Sequence, residues 1–306
     1  MSVVNLPAAE FLAVIPSQVT WCYSYFGVIY AVGLTTIFLR GDWQRARGIE
    51  KLILFGPIFY AAPLGAFGTE HFTISKVIAS LVPAWIPWHM FWTYVVGACF
   101  IAAALSMVTR LQARLAAALV GMTFFLFVVL MDAAAWAKNP HSRLAMVLTL
   151  RELAFSGGAL ALASCLSRQW PERRRHFLST TARYFIAIPV LVYSFEQLAH
   201  GDHVPAVPLE RLTPTWIYGH AIWTYFAAVV YAIACALLLV GKKARSAAAW
   251  LGATILFVEL VVYVPLAVVE RATLLGFNFM ADTLMFCGAV LLLAAAMPGE
   301  DASSHR

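Results

Sequence analysis

Ten side chains carry most of the chemistry this sequence offers: Glu70, Trp85, His89, Trp92, Glu152, Glu196, Trp216, His220, Trp223 and Asp282. An imidazole beside a carboxylate can hold a hydrogen bond, gate a pocket or relay a proton near neutral pH. An indole adds a flat apolar surface with one polar edge. These residues are not scattered. Pro83 to Tyr94 reads PAWIPWHMFWTY and Pro214 to Tyr225 reads PTWIYGHAIWTY, so Pro, Trp, Ile, His, Trp, Thr and Tyr recur in register. Trp85, His89 and Trp92 are spaced i, i+4, i+7, as are Trp216, His220 and Trp223. Within a helix each trio shares one face. Pro87 predicts that the first of these helices starts near it, which leaves Trp85 just before the first turn.

The acids pair off in the same way. Glu70 follows Pro63, and Glu196 follows Pro189, by the same seven residues. Each closes a predicted membrane span. Glu152 and Asp282 are expected about two turns inside the last span of each copy. An ionisable group inside a span is costly, and it faces a bundle interior or a water-filled cavity. The expected picture in each copy is a carboxylate from the first span, a His from the second and a carboxylate from the fourth around an outward-facing pocket. Such a trio can bind a polar headgroup, relay a proton, or lock the helices together. The Trp residues read equally well as an aromatic belt at the membrane interface.

The copies are unequal. Arg151 precedes Glu152, whereas Ala281 precedes Asp282; Asp132 stands opposite Tyr263, and Val128 opposite Glu259. Arg151 is expected to neutralise Asp132 or Glu152 and make the first copy a closed structural pair. The second copy has the longer outer loop, with His200, Asp202 and His203, and is the one expected to be active. HGDH resembles a metal-ligand cluster, but a solvated polar loop explains it as well, and no metal is assigned.

The elements that must position these groups follow from composition. The chain is 62% hydrophobic and 12% charged, with a mean hydropathy of +0.80. A soluble domain of that composition would expose more apolar surface than water tolerates. Apolar runs long enough to cross a bilayer are expected at about 20–39, 52–70, 88–108, 114–136, 144–165, 183–199, 218–240, 246–268 and 276–297. Helices are expected, because only helices or closed barrels satisfy their backbone in lipid, and runs this continuous do not suit alternating barrel strands. The fold class is therefore an all-α polytopic membrane protein. It is read as one N-terminal helix plus two parallel four-helix repeats.

The repeats are expected at 52–165 and 183–297, between an N-terminal segment at 1–51, a basic linker at 166–182 and a tail at 298–306. ARLAAALVGMT from Ala113 and ARSAAAWLGAT from Ala244 match, and Glu152 and Gly158 are aligned with Asp282 and Gly288. Four spans is an even number, so the second copy enters the membrane in the direction of the first.

Arg40, Arg45, Arg47, Lys51, Arg110, Arg114, Arg168, Arg173, Arg174, Arg175, Arg183, Lys242, Lys243 and Arg245 fall in connections on one side, against only Lys76, Lys138, Arg143, Arg211 and Arg271 on the other. The positive-inside rule then sets the N-terminus outside and the C-terminus in the cytoplasm. No basic n-region precedes the first apolar stretch, so the first span is expected to stay. The net charge of +6 is split among short loops, which gives no nucleic-acid footprint. The sequence lacks a P-loop, a dinucleotide fingerprint and a Gly-x-Ser-x-Gly elbow. The five cysteines form no CxxC pair and read as small core residues.

The run from Gly68 to Met107 resembles DoxX-like membrane proteins in Gly68, His71, Phe72, Val82, Pro83, Trp85, Pro87 and Gly97. The second copy departs from that pattern, with Gln197 in place of His71 and Tyr218 in place of Pro87. The resemblance implies a four-helix unit in the inner membrane, sometimes an accessory subunit of quinone-dependent sulfur or respiratory oxidation. Three functions follow as expectations. The first is an accessory or ligand-binding subunit handling a quinone or lipid, with membrane lipids and a respiratory or redox protein as partners. The second is a proton-coupled transporter, for which Glu259 is the deepest candidate. The third is a membrane enzyme with His and carboxylate as acid and base. The cofactor is left open.

Overall fold

The computed structural model describes residues 16–167, 169–207 and 211–298. The start of the N-terminal segment, Arg168, Pro208 to Glu210 and the tail from 299 lie outside the described residues. Among the described residues nine helices are long and apolar enough to cross a membrane. The protein is an all-α multi-pass membrane protein. We number the spanning helices α1 (Ser17–Leu39), α2 (Gly56–Thr73), α3 (His89–Thr109), α4 (Ala113–Phe127), α5 (Arg143–Cys165), α6 (Glu172–Ala199), α7 (His220–Val240), α8 (Ala244–Val258) and α9 (Leu274–Ala296). After one π-helical turn, Val128–Asp132, α4 runs on as Ala133–Lys138; α8 does the same through Glu259–Tyr263 into Val264–Val269.

One boundary differs clearly from expectation. α6 starts at Glu172, so most of the basic stretch expected as a linker is helix. Pro171 stands just before its first turn, where its missing N–H costs nothing, and Glu172 sits at the helix N-terminus. Low hydropathy there marks a helix that leaves the apolar layer, not one that ends.

From α3 to α9 the element bounds recur at a constant offset. Every bound of α7, α8, the second π-turn and α9 equals the corresponding bound of α3, α4, the first π-turn and α5 plus 131. The caps recur too. Ser142 Oγ accepts from Ala145 N at 3.2 Å, and Thr273 Oγ1 accepts from Gly276 N at 3.0 Å. Left-handed residues flank the helices at Trp88 and Gly219, Arg110 and Gly241, and Gln112 and Lys243. This register corrects the sequence alignment by one residue in the last helix. Asp282 lies opposite Arg151, and Thr283 lies opposite Glu152.

α9 is the axis of the molecule. Within its most apolar window 83% of residues are buried, against 22% in α1. It packs on α2, α5 and α8. Glycines permit the approach: a Cβ on Gly288 would sit 2.5 Å from Tyr60 N, and one on Gly158 would sit 2.5 Å from Ala289 Cβ. The two four-helix sets thus meet through α2, α5, α6 and α9.

Candidate functional site

The acids expected to line two separate pockets are arranged differently. Glu70, Glu152 and Asp282 surround one guanidinium at the junction of the two sets. Arg151 Nη1 donates to Asp282 Oδ2 at 2.6 Å, and Nη2 donates to Glu152 Oε1 at 2.9 Å. Glu70 lies within electrostatic reach of Asp282 and Arg151, with Asn278 of α9 beside it. Asp132, at the end of the first π-turn, faces the same Arg151. Arg151 therefore does not close the first four-helix set on itself as expected. Its shortest bond crosses to the second set.

Two tyrosines wall the centre. Tyr60 of α2 donates to Phe155 O at 2.7 Å, and Tyr193 of α6 donates to Val147 O at 2.8 Å. Both bonds reach carbonyls of α5 and fix that helix between α2 and α6. Polar atoms remain buried without partners at Glu70 Oε1, Glu152 Oε2, Asp132 Oδ2 and Arg151 Nε. Buried polar groups are usually hydrogen-bonded, so this group of open atoms is unusual. One guanidinium cannot pair with all four carboxyls.

Glu196 takes no part. Its Oε2 accepts from Arg143 Nε at 2.8 Å and lies 3.5 Å from His200 Nδ1, at the loop end of α6. The copies thus use equivalent carboxylates differently. Glu70 is deep and lacks an ion-pair partner, whereas Glu196 is half-buried and paired.

The Trp and His phrases stand apart from the charge centre. α3 begins at His89, so Trp85 precedes the helix, and only His89 and Trp92 share it. Trp85 and Trp92 are exposed. A Cβ on Gly68 would meet Gly97 O, which sets the neighbourhood of Glu70 level with Gly97. His89 is eight residues earlier on α3, about 12 Å along the axis. The imidazole and the carboxylate are therefore mouth and interior, not one cluster. In the second set α7 starts at His220, whose side chain lies outside the description. Trp216 is exposed and precedes the helix, while Trp223 packs on Phe257 with ring centroids 5.5 Å apart.

At the mouth of the first set lies a shallow, wide-open surface depression, lined by Ile86, Pro87, Trp88, His89, Met90 and Phe91, all from one stretch of chain. Trp88 has φ +59°, a left-handed conformation that a bulky side chain rarely takes. At the same register the second set has Gly219, at φ +68°. The sequence does not single out Trp88, because its neighbours Trp85 and Trp92 match the repeated phrase and it does not. That mismatch with a glycine was the available signal.

The HGDH loop holds itself. His203 Nδ1 lies 2.8 Å from Asp202 Oδ1, and this hydrogen bond keeps the Asp202 carboxyl below its ordinary range. Among the described residues no three His, Cys, Asp or Glu side chains gather as a metal site. No protein-family model matches the chain, and no curated protein or solved structure is significantly similar to it.

Proposed function

We propose that the protein is a DoxX-like accessory or ligand-binding subunit of the inner membrane that holds a lipophilic molecule, a quinone or a lipid, at the outward mouth of its first four-helix set. On this reading the chain is an internal duplication, with the N-terminus outside and the C-terminus in the cytoplasm. The constant 131-residue offset and the matched caps support the duplication. The basic residues of the connections support the orientation. Membrane lipids and a respiratory or redox protein are the partners this reading implies.

One observation carries the ligand reading. Trp88 is held in a left-handed conformation at the wall of an aromatic depression, where the equivalent residue is glycine. Backbone strain kept at a concave surface is a sign of a site, because the fold itself works with Gly219. The indole and Phe91 give a flat ligand two aromatic surfaces, and His89 gives its polar edge one hydrogen-bonding group.

The test is mass spectrometry of the protein extracted into lipid nanodiscs, comparing wild type with Trp88→Gly and His89→Ala. A quinone or a specific lipid carried by wild type and lost from both variants is the expected result. Identical small-molecule content in all three, with all three folded, removes the reading.

A second reading, proton-coupled transport, is favoured by the excess of carboxyls around Arg151. A carrier needs charged groups that can change partners, and the open carboxyl oxygens around Arg151 support this reading.

A further inference from the structure

We propose that the π-helical turn of α8 is a site for a monovalent cation, a sodium ion or a proton, held at Glu259. The site is independent of the aromatic depression and of any ligand there. Glu259 is 2% exposed, and both its carboxylate oxygens are buried without a partner. It is the one acid in the described residues with both oxygens in that state.

The carboxyl is not there for the fold. The matching turn in α4 starts at Val128 and forms the same five-residue π-helix. An apolar side chain therefore suffices to build the turn, and the acid must be explained by something else. A π-turn also takes backbone carbonyls out of the regular i+4 ladder, and such turns recur at functional sites.

The surroundings supply oxygen and no positive charge. Asp282 faces Glu259 from α9 but is bound to Arg151 at 2.6 Å. Cys287, also on α9, donates to Gly252 O at 3.3 Å. Tyr263, at the far end of the same turn, donates to Pro205 O at 2.5 Å. Beyond Cys287, Tyr231 of α7 and Tyr193 of α6 complete the shell. The nearest guanidiniums are committed, Arg151 to Asp282 and Glu152, and Arg211 to Glu270. Two hydroxyls there are open: Tyr231 Oη and Thr283 Oγ1 are buried and make no well-formed hydrogen bond, and Thr283 lies beside the Tyr263 hydroxyl. The open donors, the Glu259 carboxylate and the hydroxyls of Thr283 and Tyr231, are oxygen atoms, which suit a hard cation over a soft one. A single negative charge in an apolar interior is neutralised by a single positive one.

The test uses the full chain in nanodiscs, at constant ionic strength, in sodium, potassium or choline chloride and over pH 5 to 9. Two quantities are read: labelling of Glu259 by dicyclohexylcarbodiimide, located by peptide mass spectrometry, and the thermal unfolding midpoint. If sodium binds, labelling falls about tenfold once sodium reaches roughly ten times its dissociation constant. The midpoint then rises with sodium in wild type and not in Glu259→Gln. Thr283→Val moves the protective concentration upward, which a purely structural threonine would not do. If a proton is the cation, labelling and midpoint follow pH alone, and Glu259→Gln loses that dependence. A folded wild type whose labelling and midpoint ignore both sodium and pH, or share every dependence with Glu259→Gln, overturns the proposal.

Discussion

The ends of the two four-helix sets that carry the Trp and His phrases start from the same backbone register and finish differently. In the first set a short turn leads to Trp88 and leaves an open aromatic depression. In the second set the longer loop folds back over the bundle. Val204, Ala206 and Val207 are buried, Ala206 N donates to Gln197 Oε1 at 3.0 Å, and Pro205 O accepts from Tyr263. The inner face of the comparison is just as uneven. Tyr263 is tied to the loop, while its counterpart Asp132 keeps an open oxygen. Gln197 takes over the local bond of His71: each reaches the carbonyl four residues before it, at 2.9 and 2.8 Å. The first set carries a strained Trp88 at its loop end, and the second carries a buried Glu259 in its π-turn.

The strongest way to break this comparison is at the residues that face each other across it. Arg151 and Asp282 occupy one register in the two sets and bind one another. Arg151→Met leaves the buried Asp282 and Glu152 without their cation. Removal of one partner of a buried pair costs about 3–5 kcal/mol, so the thermal midpoint in nanodiscs should fall steeply or the protein should fail to fold. Asp282→Asn should cost less, because it leaves Glu152 as a partner for the guanidinium. The sharper measurement is the exchange, Arg151→Asp with Asp282→Arg. Equivalent positions should recover a substantial part of the loss. An exchange no more stable than Arg151→Met would mean that local neighbours such as Glu152 hold the pair, and the two registers would not be interchangeable.

A smaller effect separates the two mouths. Trp88 and Gly219 are both left-handed, a state that costs a residue with a side chain roughly 1–2 kcal/mol. Trp88→Gly should therefore leave stability unchanged or raise it by up to about 1 kcal/mol, offset in part by the flexibility glycine adds to the unfolded chain. Gly219→Ala should lower stability by about 1 kcal/mol, since a Cβ there meets nothing closer than 3.4 Å and only backbone strain is added. Thermal unfolding of both variants checks the pair. A clear loss of stability in Trp88→Gly would make the indole a packing residue and remove the argument from strain.

Hydropathy and the repeated phrases made nine helices legible, because a spanning helix needs only length and apolar composition. The chemistry was less legible for definite reasons. Aligning carboxylate with carboxylate put Glu152 opposite Asp282, a step off the true register, and so concealed that an arginine and an aspartate share one position. Periodicity describes the faces of one helix, not which helix of the other set it meets. The deep position of Glu70 depends on Gly68 and Gly97 letting α2 and α3 touch. The pairing of Glu196 with Arg143 depends on where α5 begins. Glu259 was noticed as deep, but that both its oxygens are unpartnered is a property of the packed neighbours.

The smallest test concerns the basic ends of the helices. Arg110 and Gly241 are equivalent left-handed C-caps. In the first set Arg110 binds Asp42, which also holds Arg45. Partial burial alone would raise the Asp42 carboxyl, but the hydrogen bonds and charges of Arg110 and Arg45 outweigh it and hold the group below its ordinary range. A carboxyl lowered in the folded state contributes stability above its unfolded value and loses it as pH falls through the folded one. The contribution should be complete at neutral pH and should fade in acid. Arg45 is 70% exposed and Arg110 38%, so solvent and salt limit the whole cluster to about 1 kcal/mol or less. Asp42→Asn should lower the midpoint slightly at pH 7, and the difference from wild type should shrink toward acid pH and at high salt. The second set has no aspartate at its Gly241 cap, only Arg183 against it. A midpoint difference that stayed constant from neutral to acid pH would show that Asp42 holds α1 to α3 through packing, and that the two caps differ in shape and not in charge.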